Sequence, residues 1–129
     1  MELKASELRE NNKLLFMGKV VTFDYIAKKR VDGIFWIKVK EPNLDHKNFH
    51  FKPIELSEEI LLKCGFKIGF DTYLPFQKSY SLGEIILSEE FILSGESGVM
   101  WQIGKPFLFL HQLQNAIFAI TQTELEINL

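Results

Sequence analysis

Apolar positions along this chain follow two periods, and the changes between them mark its elements. Leu14 to Phe16 and Lys19 to Ile26 flank Met17-Gly18, which reads as a β-hairpin. In the second segment Val21, Phe23 and Tyr25 alternate with Val20, Thr22 and Asp24. Lys28-Lys-Arg-Val-Asp-Gly33 reads as a turn, and Ile34 to Lys40 as the next strand. There Phe35, Ile37 and Val39 point one way and Trp36, Lys38 and Lys40 the other. Three short strands joined by tight turns form a meander, an arrangement that can close as a small SH3-like barrel. Before it, residues 3 to 10 suit a helical turn or two anchored by Leu3 and Leu8. After it, residues 41 to 53 read as a loop bounded by Pro42 and Pro53.

The period then becomes helical. Ser57 is an N-cap, Glu58 and Glu59 suit the positive helix end, and Leu56 and Leu61 make a staple. Gly65 is a left-handed stop on which Phe66 folds back, so a short helix is expected near 58 to 64. Residues 70 to 76, 84 to 87, 90 to 93 and 99 to 103 are candidate strands, with turns at Ser81-Leu-Gly83 and Ser94 to Gly98. Phe107-Leu-Phe109 reads as a strand feeding a longer helix over 109 to 121, whose apolar stripe is Leu110, Leu113, Ile117 and Ile120. Its far face carries His111, Gln114, Asn115 and Phe118. An apolar ring on that polar face is either covered by another element or anchors a partner, which makes these four residues the candidate partner-binding site. Leu125, Ile127 and Leu129 alternate again and predict a closing strand. The expectation is a single α+β domain over residues 1 to 129.

Composition changes this picture in three places. Phenylalanine supplies 12 of 129 residues, more than a small core needs, so an exposed aromatic patch is expected. Charge is uneven: residues 1 to 52 hold 11 Lys/Arg against 7 Asp/Glu, and the remainder 4 against 10, within a net charge of −2. Cys64 is the only cysteine, which excludes an intramolecular disulfide and a cysteine-based zinc site and fits a reducing compartment. The charged N-terminus has no apolar signal region, and no run reaches the roughly 18 apolar residues of a membrane span. A cytoplasmic location is the expectation.

No motif for catalysis, cofactor or metal survives inspection. His46 and His50 are four apart, but Pro42, Asn43 and Asn48 argue for a loop rather than one helix face. His111 has no Ser, Cys or Asp at motif spacing. Ser94-Gly-Glu-Ser-Gly98 has the wrong spacing for a nucleophile elbow, and neither a Walker A loop nor G-x-G-x-x-G occurs. A non-enzymatic protein without cofactor or metal is expected. One constellation does suggest chemistry. Trp36, Lys38 and Lys40 share a strand face beside Lys28, Lys29 and Arg30. A ring among cations offers stacking for a base and charge for phosphates, so these six residues form the candidate nucleic-acid site.

Two stretches carry a resemblance. Pro53-Ile-Glu-Leu-Ser-Glu-Glu-Ile-Leu-Leu-Lys-Cys-Gly-Phe66 resembles P-I-x-L-T-E-E-x-L-L-K-x-G-F. The segment from Leu110-His-Gln-Leu-Gln-Asn115 through Ile127 resembles V-H-Q-L-Q-N-L-Y-F-A-L-T-G-E-E-L. Both patterns belong to small uncharacterised proteins common in phages and prophages of Bacteroidota. Glu7-Leu8-Arg9-Glu10-Asn11-Asn12 is similar to their E-L-R-I-G-N. Two departures stand out: Gln122 replaces a helix-stopping glycine, and Glu10-Asn11 replaces Ile-Gly. The resemblance implies no activity and no catalytic residues. It implies a mobile-element protein that binds host machinery, with an anti-CRISPR acting on an RNA-guided (type VI) nuclease or its guide RNA as the leading expectation. A nucleic-acid-binding accessory protein and a phage structural or assembly protein stand as alternatives.

Overall fold

Met17 and Gly18 take positive φ angles of 52° and 77°, the left-handed pair that a two-residue hairpin turn requires. They join β1 (Lys13–Phe16) to β2 (Lys19–Lys29) with Phe16 opposite Lys19 and Leu14 opposite Val21. The computed structural model describes residues 3–70, 77–96, 100–103 and 106–129, with backbone alone over 94–96 and 100–103. It is an α+β protein, as the two periods predict. The chain divides into two compact units: Met1–Glu55 with Phe109–Leu125, and Leu56–Leu108 with Glu126–Leu129.

The first unit is built on a five-stranded antiparallel sheet. β3 (Phe35–Val39), β4 (Leu44–Lys47) and β5 (Phe51–Pro53) complete it in the order β4-β3-β2-β1-β5. A 3-10 turn at Asn48–His50 leads into β5. That order, with the first strand between the second and fifth, matches an SH3-like meander. The expectation of a loop over 41 to 53 is therefore corrected. Two strands and a turn occupy 44 to 53, and they are too short and too polar to show a period of their own. The helical turn expected near the start is a 3-10 turn at Ala5–Glu7.

Alternation sorts most of this sheet. Leu14, Val21, Phe23, Phe35, Ile37, Val39 and Phe51 are buried, and with Leu3 they form one core. Tyr25 breaks the pattern: it is 53% exposed rather than inside with Val21 and Phe23. Pairing explains it. Phe23 lies opposite Val39 but Tyr25 lies opposite Lys38, so a bulge between them shifts the parity of the strand. Ile26, after the bulge, packs on the core instead. β2 also runs to Lys29, so the expected turn begins later than Lys28.

Helix α2 (Leu110–Thr121) belongs to the same unit. Leu110, Leu113 and Ile117 are buried as their stripe predicts, but Ile120 in the last turn is 42% exposed. No strand feeds α2 directly. Phe109 makes only an isolated bridge to Glu55, and Gln112 Oε1 accepts from the Phe109 N–H at 3.1 Å across the first turn. Gln122 ends the helix at φ 59°, its N–H bonded to the Phe118 carbonyl at 2.8 Å. A glutamine thus takes the left-handed position where the resembling proteins have glycine.

In the second unit, α1 (Glu58–Lys63) starts and stops on the expected signals. Ser57 Oγ accepts from the Ile60 N–H at 3.2 Å. Gly65, at φ 91°, donates to the Leu62 carbonyl, and Phe66 donates to the Leu61 carbonyl, each at 3.1 Å. A second antiparallel sheet contains β6 (Lys67–Phe70), β7 (Lys78–Leu82), β8 (Ile85–Ser88), β9 (Leu93–Glu96) and β10 (Met100–Ile103), in the order β10-β9-β8-β7-β6. β7 escapes the sequence because only Tyr80 of its five residues is buried. The expected strand over 70 to 76 lies, beyond Phe70, outside the described residues, as do Ser97 and Gly98 of the expected turn and Val99 of the expected strand. Cys64 is buried, and burial pushes its thiol up to about 11, so it is protonated and inert at neutral pH. The closing strand is absent: residues 124 to 129 lie in no strand. In this unit the Asn128 N–H bonds the Lys63 carbonyl at 3.0 Å, one of the helix-end acceptors of α1.

Candidate nucleic-acid interface

The register of β2, β3 and β4 sets a row of three side chains. Trp36 lies directly opposite Lys28 on one side and Lys47 on the other. Directly opposed residues place their Cβ atoms about 4.5–5.5 Å apart, so Trp36 stands in one row between Lys28 and Lys47. The next row is Tyr25, Lys38 and Asp45. Phe35, Ile37 and Val39 are buried, which leaves Trp36 and Lys38 half-buried between them.

Rings extend from this row. Trp36 and His46 lie 6.1 Å apart, near parallel at 20°. His46 meets His50 edge-on at 4.0 Å and Phe16 at 5.7 Å, and His50 meets Phe49 at 4.5 Å. Phe49 is 57% exposed, with Lys47 Nζ at 5.9 Å from its ring centre. Desolvation, with His46 and Lys47 close by, lowers the pKa of His50 from the ordinary histidine value. Among the described residues no group of three or more His, Cys, Asp or Glu side chains is placed to hold a metal ion.

The six expected nucleic-acid residues separate on inspection. Lys28 and Trp36 are brought together, and Lys29 continues the strand opposite Phe35. Lys28 and Lys29 make no ion pair or side-chain hydrogen bond among the described residues. Lys38 Nζ bonds the Val39 carbonyl at 2.7 Å, and Arg30 pairs with Asp32 at 3.1 Å. Lys40 does not belong to the face. Its ammonium pairs with Glu10 at 2.9 Å and bonds Asn11 Oδ1 at 2.7 Å, and the Glu10 bond raises its pKa. Lys47, Phe49 and the two histidines escape the sequence reading because they fall in the segment taken for a loop. The alternation Leu44, His46 against Asp45, Lys47 was the signal available, and four residues are too few to stand out.

The second candidate site is occupied by the chain itself. His111 and Gln114 are each 1% exposed, so the expected partner face of α2 is corrected: the N-terminal segment covers it. Gln114 Oε1 accepts from the Lys13 N–H at 2.8 Å, and its Nε2 donates to the Asn11 carbonyl at 2.9 Å. Asn115 Oδ1 accepts from Asn12 Nδ2 at 2.8 Å and Arg9 Nε at 3.2 Å, while its amide donates to the Glu7 carbonyl at 2.8 Å. Arg9 also forms a two-pronged ion pair with Glu124 and lies over the Phe118 ring, 4.2 Å from its centre. Its guanidinium holds the Glu124 carboxyl below the usual carboxylate range. His111 stacks on Phe109 at 6.0 Å, with Nε2 3.9 Å from a Glu7 carboxylate oxygen. Burial lowers its pKa against the opposing pull of Glu7, and neither ring nitrogen has a hydrogen-bond partner in the structure.

Comparison with family models, with curated proteins and with solved structures finds no match to this chain. Among the described residues no helix is long and apolar enough to cross a membrane.

Proposed function

We propose that this protein binds single-stranded nucleic acid across the β2–β3–β4 face, without catalysing a reaction. The observation that carries this reading is the row Lys28–Trp36–Lys47, a half-buried ring flanked by two lysine positions in the strand register. A base stacks on Trp36 and the flanking phosphates meet Lys28 and Lys47. Phe49 and Tyr25, both exposed, offer further ring surface on either side. Stacking tolerates any base, so little sequence preference is expected.

Fluorescence anisotropy with labelled oligouridine and oligothymidine at low salt tests this. Trp36→Ala should weaken binding by about 1–3 kcal/mol, the range for one stacked base. The logarithm of affinity should fall with the logarithm of salt, and Lys28→Glu or Lys47→Glu should each flatten that slope by about 0.7. Absence of binding at low salt, or a Trp36→Ala protein that binds as wild type does, overturns the reading.

The wider proposal, that a mobile-element protein of this kind restrains an RNA-guided nuclease, gives the same face a specific ligand, the guide RNA. Its support is the sequence resemblance alone. A pull-down from host lysate with and without nuclease treatment checks it: capture of an effector that survives RNA digestion would assign the contact to protein surface instead.

A further inference from the structure

Trp36, His46, His50, Phe49 and Lys47 close a circuit of contacts at the edge of the first sheet. Trp36 lies beside His46, and His46 meets His50 with ring centres 4.0 Å apart. His50 touches Phe49, whose ring centre is 5.9 Å from Lys47 Nζ, back in the Trp36 row. Register sets His46 opposite the buried Ile37, on the other side of β4 from Lys47. β4 is the outermost strand on this side, however, so the circuit passes round a single edge strand. His46 is half-buried, and Phe49 and His50 are exposed.

Of the two histidines, His50 is the one free to take a proton. His46 Nδ1 accepts from the Lys47 N–H at 2.9 Å, a bond that a proton on Nδ1 would break. Both ring nitrogens of His50 are without such a bond among the described residues. Its charged neighbours have one sign. Desolvation, His46 and Lys47 all lower its pKa. Asp45 lies in the next row, opposite Lys38. β1 and β3 bring the uncharged Phe16 and Trp36 to the pair. β5 begins with Phe51, packed on Phe16, and its Lys52 lies opposite Leu15.

We infer that His50 is an acid-sensitive contact of the strand-binding face: it takes up a proton from solvent as a strand binds, so that capture tightens below neutral pH. The inference rests on the proposed nucleic-acid reading and adds to it a residue and a pH dependence. Lys47 and His50 already feel each other as like charges. A phosphate held at Lys47 reverses the local sign and favours the imidazolium. By reciprocity the imidazolium favours the phosphate. Trp36 and Lys47 both belong to the circuit, so a strand on that row lies beside the ring that gains the charge.

Anisotropy with labelled oligothymidine, repeated from pH 7.5 to pH 5.5, tests this. Salt is held at about 0.01 M, where the Debye length of about 30 Å leaves the contact unscreened. Neither the bases nor the diesters of that strand titrate in this window, and circular dichroism at each pH confirms the fold. One proton linked to binding raises affinity by at most about tenfold per pH unit. Wild-type affinity should therefore rise about three- to tenfold across the range. His50→Gln cannot take the proton and should lose that rise. His50→Lys carries the charge at every pH, so its affinity should stay near the acid wild-type level throughout. Binding by the wild type that does not change with pH overturns the inference and leaves the Trp36 face standing. A rise that persists in either variant also overturns it, because another group then takes the proton. Absence of binding at every pH removes both readings.

Discussion

Gln114→Met keeps the length and approximate volume of a buried side chain while removing both of its hydrogen bonds, which makes it a direct test of how the first unit is held. Gln114 acts as a substitute strand. It accepts from the Lys13 N–H and donates to the Asn11 carbonyl, two backbone groups flanking Asn12. On the other side of the same segment, the Asn11 N–H bonds the Phe23 carbonyl at 2.9 Å and the Phe23 N–H bonds the Asn12 carbonyl at 2.8 Å. The segment entering β1 is therefore clamped between β2 and a helix side chain. Two net hydrogen bonds at about 0.5–1.5 kcal/mol each give a loss of about 1–3 kcal/mol. Gln114 is only 1% exposed, so water does not easily reach the orphaned groups, and each adds part of an unsatisfied-group penalty of about 1–3 kcal/mol. The expected total is about 2–4 kcal/mol, a large share of a typical stability of about 5–15 kcal/mol. Urea denaturation at pH 7 measures it, with an unchanged m-value showing that the same surface unfolds. A loss below about 0.5 kcal/mol, the range of an indifferent surface change, would refute the clamp.

Three further outcomes are expected. Gln122→Gly should stabilise the protein by about 0.5–1 kcal/mol, because φ 59° is strained for glutamine and free for glycine, whose greater unfolded-chain entropy returns part of the gain; an unchanged denaturation midpoint would rule out strain at this stop. Stability should fall on acidification below about pH 6.5: His111 and His50 have lowered pKa values in the folded state, so the unfolded chain binds protons first. Melts across pH 5 to 8 should show that slope flatten in His111→Phe, and an unaltered slope would show that His111 does not contribute. Leu113→Ala should cost about 2–5 kcal/mol, since Leu113 is fully buried, whereas Phe118→Ala should cost about 1–2 kcal/mol, a half-buried ring and one cation–π contact; equal losses in paired thermal melts would show that Phe118 is as deeply committed as the core stripe.

Local signals were readable where one residue type settles a conformation. Ser57 and Gly65 bracket α1 as expected, and Met17-Gly18 turns the first hairpin. The stripe of α2 was readable through Leu113 and Ile117 because a buried helix face repeats often enough to be seen. What escaped depends on pairing. The bulge that turns Tyr25 outward is invisible in a strand that alternates cleanly on paper. β4, β5 and β7 are short and half polar, and only their partners make them strands. The candidate face was read in part for the same reason. Lys28, Trp36 and Lys38 lie on strands with visible alternation, while Lys47 reaches Trp36 only through the β3–β4 register. Lys40 was misassigned because its partner Glu10 is thirty positions away in sequence, and nothing local marks the ion pair.

The residues that give this sequence its most distinctive pattern also limit where function can reside. Glu7 to Asn12 and His111 to Asn115 are separate blocks in the chain, and in the structure they bind each other. Asn115 holds Glu7, Arg9 and Asn12, Gln114 holds Asn11, and Arg9 reaches past them to Glu124. A polar helix face that looks free in the sequence thus becomes a buried polar seam, and its spacing is explained by the segment it clasps. Arg9, Gln114 and Asn115, whose hydrogen bonds are already made internally, offer a ligand little without first breaking those bonds. The surface with unspent capacity lies on β2, β3 and β4, where Lys28 and Lys29 have no partner among the described residues and Phe49 stands 57% exposed. Recognition is therefore to be sought on the sheet. Substitutions in the His111–Asn115 block should lower stability first and affect binding only as far as they unfold the first unit, whereas Trp36→Ala, the loss of a half-buried ring, should lower the denaturation midpoint modestly and weaken binding by the protein that remains folded.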